Sequence, residues 1–97
     1  MTDLAALELR VFEPLIGETF RLSCDVGDMD LVLHEAQALG PSIRSRGAFA
    51  LVFRAAPERP LSQQLYTIHH PALGNIQLLL IPIGPQGDAL AYEAIST

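Results

Sequence analysis

LYTIHHPALGNIQLLLIPIG, residues Leu65–Gly84, contains two adjacent histidines, a proline and then an almost uncharged apolar run. The segment LYTIHH has the length of a strand, and PALGN has the composition of a turn. IQLLLIPI, which follows the turn, has the length and composition of another strand. The stretch therefore predicts a β-hairpin, and it raises the question whether the histidines form a metal or catalytic centre.

The same kind of pattern continues on both sides of this hairpin. In ETFRLS, apolar Phe20 and Leu22 alternate with polar residues, as in a half-buried strand. Strands are predicted at about residues 18–23, 30–38, 48–54, 65–70, 75–83 and 89–95. Turns rich in Gly, Pro and Asp join them, and no helical pattern lies between them. The chain therefore predicts a six-stranded antiparallel sheet that forms a small barrel or sandwich.

A helical pattern precedes the first of these strands. Apolar residues recur at spacings of three and four from Leu4 to Leu15. Pro14 disfavours a helix that continues through this region, so the helix is predicted at about residues 3–10. Gly17 is expected to close the following turn in a left-handed conformation. The predicted fold class is mainly β (α+β), with a short N-terminal helix over one open end of the sheet.

Composition limits the possible partners. The 97 residues are 49% hydrophobic and 18% charged, which predicts one folded domain spanning residues 1–97 that needs no cofactor or metal to fold. The formal charge is −5, and the scattered arginines form no basic track, which argues against nucleic acid and anionic membranes as partners. The N-terminus lacks the charge of a signal peptide, and Cys24 is the only cysteine. We therefore expect a cytoplasmic protein.

The two histidines of the hairpin point to opposite faces if both belong to the strand. His69 and His70 then cannot chelate one metal, and a metal site would need His34 or an acid from another strand. No metal or catalytic motif occurs in the sequence, so no catalytic residue and no metal ligand is assigned. His70 is expected to close the strand before Pro71, with a ring nitrogen bonded to the turn backbone. The alternative is a pocket at the barrel mouth in which His69 or His70 serves a small-ligand-binding protein or a hydrolase.

The apolar run after the turn lacks the polar face of a half-buried strand. Its side chains alternate between two sets, which are Ile76, Leu78, Leu80 and Pro82 on one side and Leu79, Ile81 and Ile83 on the other. Burying the second set is worth on the order of 5 to 8 kcal/mol, so it is expected to be covered by the N-terminal helix or by another chain. Pro82 cannot donate to a ladder, so it predicts an edge position or a bulge.

The second possibility predicts a contact with a protein partner or with a second copy of the chain. Leu79, Ile81 and Ile83 would form it, together with Arg44 and Arg46 in the loop GPSIRSRG. The sequence therefore favours a non-enzymatic protein-interaction or assembly module, and it leaves open whether a small molecule binds.

Five segments carry a resemblance to a known family: PLIGETFRL, FALVFR, QQLYTIHHPALG, LLLIPIGP and YEAI. In this order they resemble a family of small bacterial domains of unknown function, over nearly the whole chain. The matching residues fall at strand ends and turns: Tyr66, His70, Pro71, Gly74, Pro82 and Gly84. Members of that family are often encoded near phage-tail-collar-like proteins. The resemblance thus implies an accessory or assembly role, and it supplies no catalytic residues.

Overall fold

The computed structural model describes residues 2–4, 7–24, 27–39 and 48–96. The strands are β1 (Thr2–Asp3), β2 (Thr19–Cys24), β3 (Gly27–Ala38), β4 (Phe49–Ala55), β5 (Gln64–His70), β6 (Gly74–Gln86) and β7 (Ala89–Ser96). One helix, α1 (Leu9–Phe12), is followed by a 3-10 turn at Glu13–Leu15 and lies between β1 and β2.

Six antiparallel strands close into a barrel. The order around the ring is β6, β5, β2, β3, β4 and β7, and pairing between β6 and β7 completes it. Closure depends on the length of β6, whose first half pairs with β5 up to Leu80 and whose second half pairs with β7 from Ile81 onward. The predicted fold class, a small antiparallel barrel with a short helix, is confirmed.

The helix predicted at about residues 3–10 is wrong. Thr2–Asp3 is a strand that pairs in parallel with β6 at Ile76 and Gln77, and the helix extends only over Leu9–Phe12. Leu4 has the spacing of a helical face, but it lies outside the helix and packs in the barrel core. A short helix is only marginally stable, because its nucleation is costly and it makes few hydrogen bonds. Residues 2–3 instead pair with the edge of β6.

The interior is built by the inward residues of the barrel strands. The largest fully buried side chains are Tyr92, Phe12, Phe20, Phe49, Phe53, Leu22, Leu31, Leu33, Leu51, Ile68, Ile76 and Leu80. Phe20 and Phe53 pack edge to face, with ring centroids 5.4 Å apart and planes at 81°. Phe12 of α1 packs on Phe49 at 5.9 Å between centroids, so the helix joins the core beside the first residue of β4.

Two bulges interrupt the alternation of inward and outward side chains. Pro82 pairs with Tyr92 and Gly84 pairs with Ala91, so Ile83 is an extra residue in β6. Gly84 has φ 104°, a conformation that residues with a Cβ rarely adopt. The bulge agrees with the position expected for Pro82, which has no amide to donate. A second bulge in β3 leaves His34 without a partner in β4.

Two tyrosines hold the connection between β4 and β5. The Tyr92 hydroxyl accepts a hydrogen bond from the Leu61 amide at 2.9 Å, and the Tyr66 hydroxyl donates to the Ser62 carbonyl at 2.8 Å. Both tyrosine rings are buried, and both hydroxyls bond to the backbone of adjacent residues. The connection is therefore tied to the barrel at a position that the sequence did not indicate.

Replacing Tyr92 with phenylalanine is expected to lower the free energy of unfolding by about 1–2 kcal/mol, because the part-buried Leu61 amide loses its acceptor. Urea unfolding followed by circular dichroism measures this loss. Hydrogen exchange at the Leu61 amide should become faster than in the wild type. Tyr66→Phe is the matched comparison, since it removes a donor to a carbonyl instead of an acceptor for an amide. Unchanged stability together with unchanged exchange at Leu61 would contradict the expected role of the hydroxyl.

Candidate functional site

Outward apolar side chains of three neighbouring strands lie around Glu93 of β7. We call Leu79 and Ile81 of β6, Ile95 of β7, and Ala50 and Val52 of β4 the outer apolar face. The strand register joins them, because Ile95 pairs with Ala50 and because Glu93 pairs with both Ile81 and Val52. Leu65 of β5 extends the face, since it lies directly opposite Leu79.

The large side chains of this face are exposed. Leu79 is 40% exposed, Ile95 is 43% exposed and Leu65 is 61% exposed, whereas Ile81 is half-buried and Ala50 and Val52 are buried. Helix α1 packs mainly against β3 and the 3-10 turn, so the expected cover of this face by the N-terminal helix is wrong. The helix has only four residues and packs beside β3, so it does not cover β6.

The predicted contact residues are only partly brought together. Leu79 and Ile81 belong to the outer apolar face, and Ile83 lies on the bulge of β6, where it is 45% exposed. Arg44 and Arg46 lie outside the described residues. The participation of these five residues in a partner contact stays a prediction. Sequence reasoning missed Ile95, because alternation placed it in a strand but could not tell which strand would lie next to it.

His70 is a buried residue with both ring nitrogens engaged. The Ala72 amide donates to Nδ1 at 3.0 Å, so Nδ1 carries no proton and Nε2 donates to Glu18 Oε1 at 2.8 Å. The ring also lies 4.8 Å from that of Phe20, between centroids. These contacts tie the turn between β5 and β6 to the residue that precedes β2. Gly74, at the end of this turn, has φ 75°.

His69 points away from His70 and is exposed on the outside of the barrel. Its Nδ1 lies 2.9 Å from Asn75 Oδ1, across the β5–β6 pair. Within the described ranges, no group of three His, Cys, Asp or Glu side chains is placed to hold a metal ion. The structure therefore does not bring the two histidines together into one site.

A groove opens on the outside of the barrel between β3, β4 and the β6–β7 turn, and we call it the β3–β4 groove. Its volume is about 590 Å³, and its lining is Asp30, Val32, His34, Arg54, Ala55, Ala56, Pro57, Glu58, Asp88 and Ala89. A smaller cavity of about 300 Å³ shares Asp30, Ala56 and Glu58 with it. The groove is lined by residues from three separate segments of the chain, so no local sequence motif predicts it.

Arg54 is the positively charged residue in the lining of this groove, and its side chain is held by the β6–β7 turn. Its Nη2 donates to the Gln86 carbonyl at 2.8 Å and lies 4.0 Å from Asp88 Oδ1. Its Nε is buried and has no hydrogen-bond partner in the part of the chain that the structure describes. Arg54 pairs with Val32 on one side and Ala91 on the other, and Val52 is the next outward residue of β4. The groove therefore begins where the outer apolar face ends.

The fold and its surfaces define a small closed β-barrel domain whose candidate site lies on the outside of the sheet. The sequence model of a family described as a domain of unknown function, DUF6916, matches residues 7–96. The chain therefore belongs to this family, and its expected membership of a family of unknown function is confirmed. No curated protein and no solved structure matches the chain significantly. None of the helices among the described residues has the length and apolar character needed to cross a bilayer.

Proposed function

We propose that this protein is a non-enzymatic interaction module that binds another protein through its outer apolar face. The observation that carries the proposal is the pair of exposed Leu65 and Leu79 across β5 and β6, with exposed Ile95 on the same side of β7, two residues beyond the Ile81–Glu93 pair. Single exposed aliphatic residues are normal on protein surfaces, whereas adjacent ones mark a binding surface. The outside of an antiparallel sheet is usually polar when it faces water.

The energetics of covering this face support the proposal. Burying the exposed parts of Leu65, Leu79 and Ile95 removes on the order of 250 Å² of apolar surface from water, worth about 6 kcal/mol before the costs of association. A stable interface needs about 800 Å² on each partner. The face thus supplies the apolar centre of an interface, and the polar residues around it supply the rim.

The specific form of the proposal is an accessory role in a phage-tail-like assembly in the cytoplasm. The support for this form is the resemblance described above, which implies an accessory or assembly role beside phage-tail-collar-like proteins. Cys24 is a free thiol whose Sγ donates to the Gly27 carbonyl at 2.9 Å, and a chain without disulfides suits a reducing compartment.

The test compares a face variant with a matched control. Leu79→Glu combined with Ile95→Glu places two charges on the face, whereas Ile16→Glu changes a residue that is 46% exposed at the end of the 3-10 turn. Tagged wild type and Ile16→Glu are expected to capture the same protein from extract of the native host, and the double variant is expected to lose it. The captured protein is then purified, and calorimetry should give a dissociation constant at least about 100-fold weaker for the double variant.

The double variant must retain the circular dichroism spectrum and urea midpoint of the wild type, because its substitutions lie on exposed positions. If the wild type captures nothing that the double variant lacks, the face is not a binding surface. Equal affinity of the purified partner for wild type and double variant would lead to the same conclusion.

A further inference from the structure

The outer apolar face carries negative charge within its apolar area. Glu35 of β3 and Glu93 of β7 pair with Val52 from its two sides. Neither glutamate makes a hydrogen bond or ion pair among the described residues. A partner that covers Ile81 and Ile95 therefore meets the carboxylate of Glu93, which pairs with Ile81 and needs a donor or a cation.

The β3–β4 groove also combines apolar residues with carboxylates. Its lining holds three carboxylates against one guanidinium, which leaves a formal charge of −2 with His34 neutral. Arg54 is committed to the Gln86 carbonyl, and Asp30 is bonded to Arg21 at 2.8 Å. Glu58 makes no hydrogen bond or ion pair among the described residues, and exposed Asp88 is 4.0 Å from Arg54. Two carboxylates of the groove thus retain free acceptor capacity.

The groove also has apolar walls, formed by Val32, Pro57 and Ala89. Arginine and lysine side chains combine an apolar stem with a charged head, and they pack the stem against apolar surface while the head stays near acceptors. An open groove of about 590 Å³ is large enough for such a side chain and its hydration. Apolar walls beside free carboxylates therefore match a basic side chain better than a small inorganic cation, which needs oxygen ligands on several sides.

Charge also distinguishes a different protein from a second copy of this chain. The chain carries a formal charge of −5, and two copies joined through the face would place the Glu35 and Glu93 carboxylates of both copies at one interface. Like charges brought together at an interface cost several kcal/mol and suppress the wrong partner. A partner with basic residues beside its apolar contact avoids this cost.

We infer that the partner of the outer apolar face is a different protein, which places an arginine or lysine side chain in the β3–β4 groove. This inference rests on the proposed function and specifies the chemistry of the partner. Glu58 and Asp88 accept hydrogen bonds from the basic head, and Val32, Pro57 and Ala89 contact its stem. The apolar residues of the partner then lie over Leu79, Ile81 and Ile95.

The test uses N-acetyl-arginine amide as the probe and N-acetyl-citrulline amide as its uncharged counterpart, in an NMR titration of nitrogen-15-labelled full-length protein. Saturable shifts are expected at the amides of His34, Glu58 and Ala89. The citrulline compound should bind at least about threefold more weakly, since it lacks the charge-assisted hydrogen bonds. Glu58→Gln combined with Asp88→Asn should weaken arginine binding by a similar factor. Glu13→Gln, which changes an exposed carboxylate on the 3-10 turn, should leave it unchanged.

Three results would overturn the inference. The first is the absence of saturable shifts in the groove. The second is equal binding of both probes, or arginine binding that Glu58→Gln with Asp88→Asn leaves unaltered. The third is a dimer of the wild type in sedimentation that Leu79→Glu with Ile95→Glu abolishes, which identifies a second copy as the occupant. If capture depends on Leu79 and Ile95 while the probe does not bind, only the partner chemistry is wrong and the proposed function stands.

Discussion

Replacing Phe53 with alanine is expected to lower the free energy of unfolding by about 3–5 kcal/mol, because the ring is completely buried at the centre of the barrel. Phe53 lies on β4, which pairs with both β3 and β7, and its ring packs edge to face on Phe20. Such aromatic contacts add about 0.5–1.5 kcal/mol beyond burial. Urea unfolding followed by far-ultraviolet circular dichroism measures the effect, since the chain has no tryptophan to report it by fluorescence.

A domain of this size has about 5–15 kcal/mol of total stability, so Phe53→Ala can leave a fraction of the protein unfolded. Phe53→Leu keeps most of the buried volume and should cost about 1–1.5 kcal/mol, which makes it the variant to use if alanine abolishes folding. Ile83→Ala, on the exposed bulge, serves as the control and should change stability by less than about 0.5 kcal/mol. A loss below about 1 kcal/mol for Phe53→Ala would show that the barrel interior is not the stabilising core.

The strands could be predicted from the sequence because alternation is a local property. FALVFRA in β4 shows this, as its inward residues Phe49, Leu51 and Phe53 recur at every second position. Whether the strands form a barrel or a sandwich could not be predicted from local sequence. It depends on β6 changing partner between Leu80 and Ile81, and the change requires that β5 and β7 each take one half of a single long strand.

Less of the candidate site than of the fold could be predicted from the sequence. The two-sided apolar pattern of β6 identified Leu79 and Ile81, because a strand without a polar face is unusual whatever it pairs with. Ile95 and the groove depend on register, which brings Asp30, Arg54 and Asp88 together from positions far apart in the chain. The prediction of a helix at residues 3–10 was wrong for a related reason. Leu4 has the spacing of a helical face, but tertiary packing buries it in the core.

His70→Ala is expected to lower the free energy of unfolding by about 2–4 kcal/mol, since it removes a buried ring and two hydrogen bonds. The lost partners are the Ala72 amide and the Glu18 carboxylate, and the contact of the ring with Phe20 is lost as well. His69→Ala is the adjacent control, and it should change stability by less than about 0.5 kcal/mol because its ring is exposed. Urea unfolding of the two variants under identical conditions measures the difference.

His70→Asn separates the contribution of the turn from that of the glutamate. The asparagine Oδ1 occupies the position of the histidine Nδ1, so it can still accept the hydrogen bond from the Ala72 amide but cannot reach Glu18. We therefore expect the stability of His70→Asn to lie between those of the wild type and His70→Ala. The structural role of His70 at the turn is contradicted if His70→Ala and His69→Ala unfold at the same urea concentration.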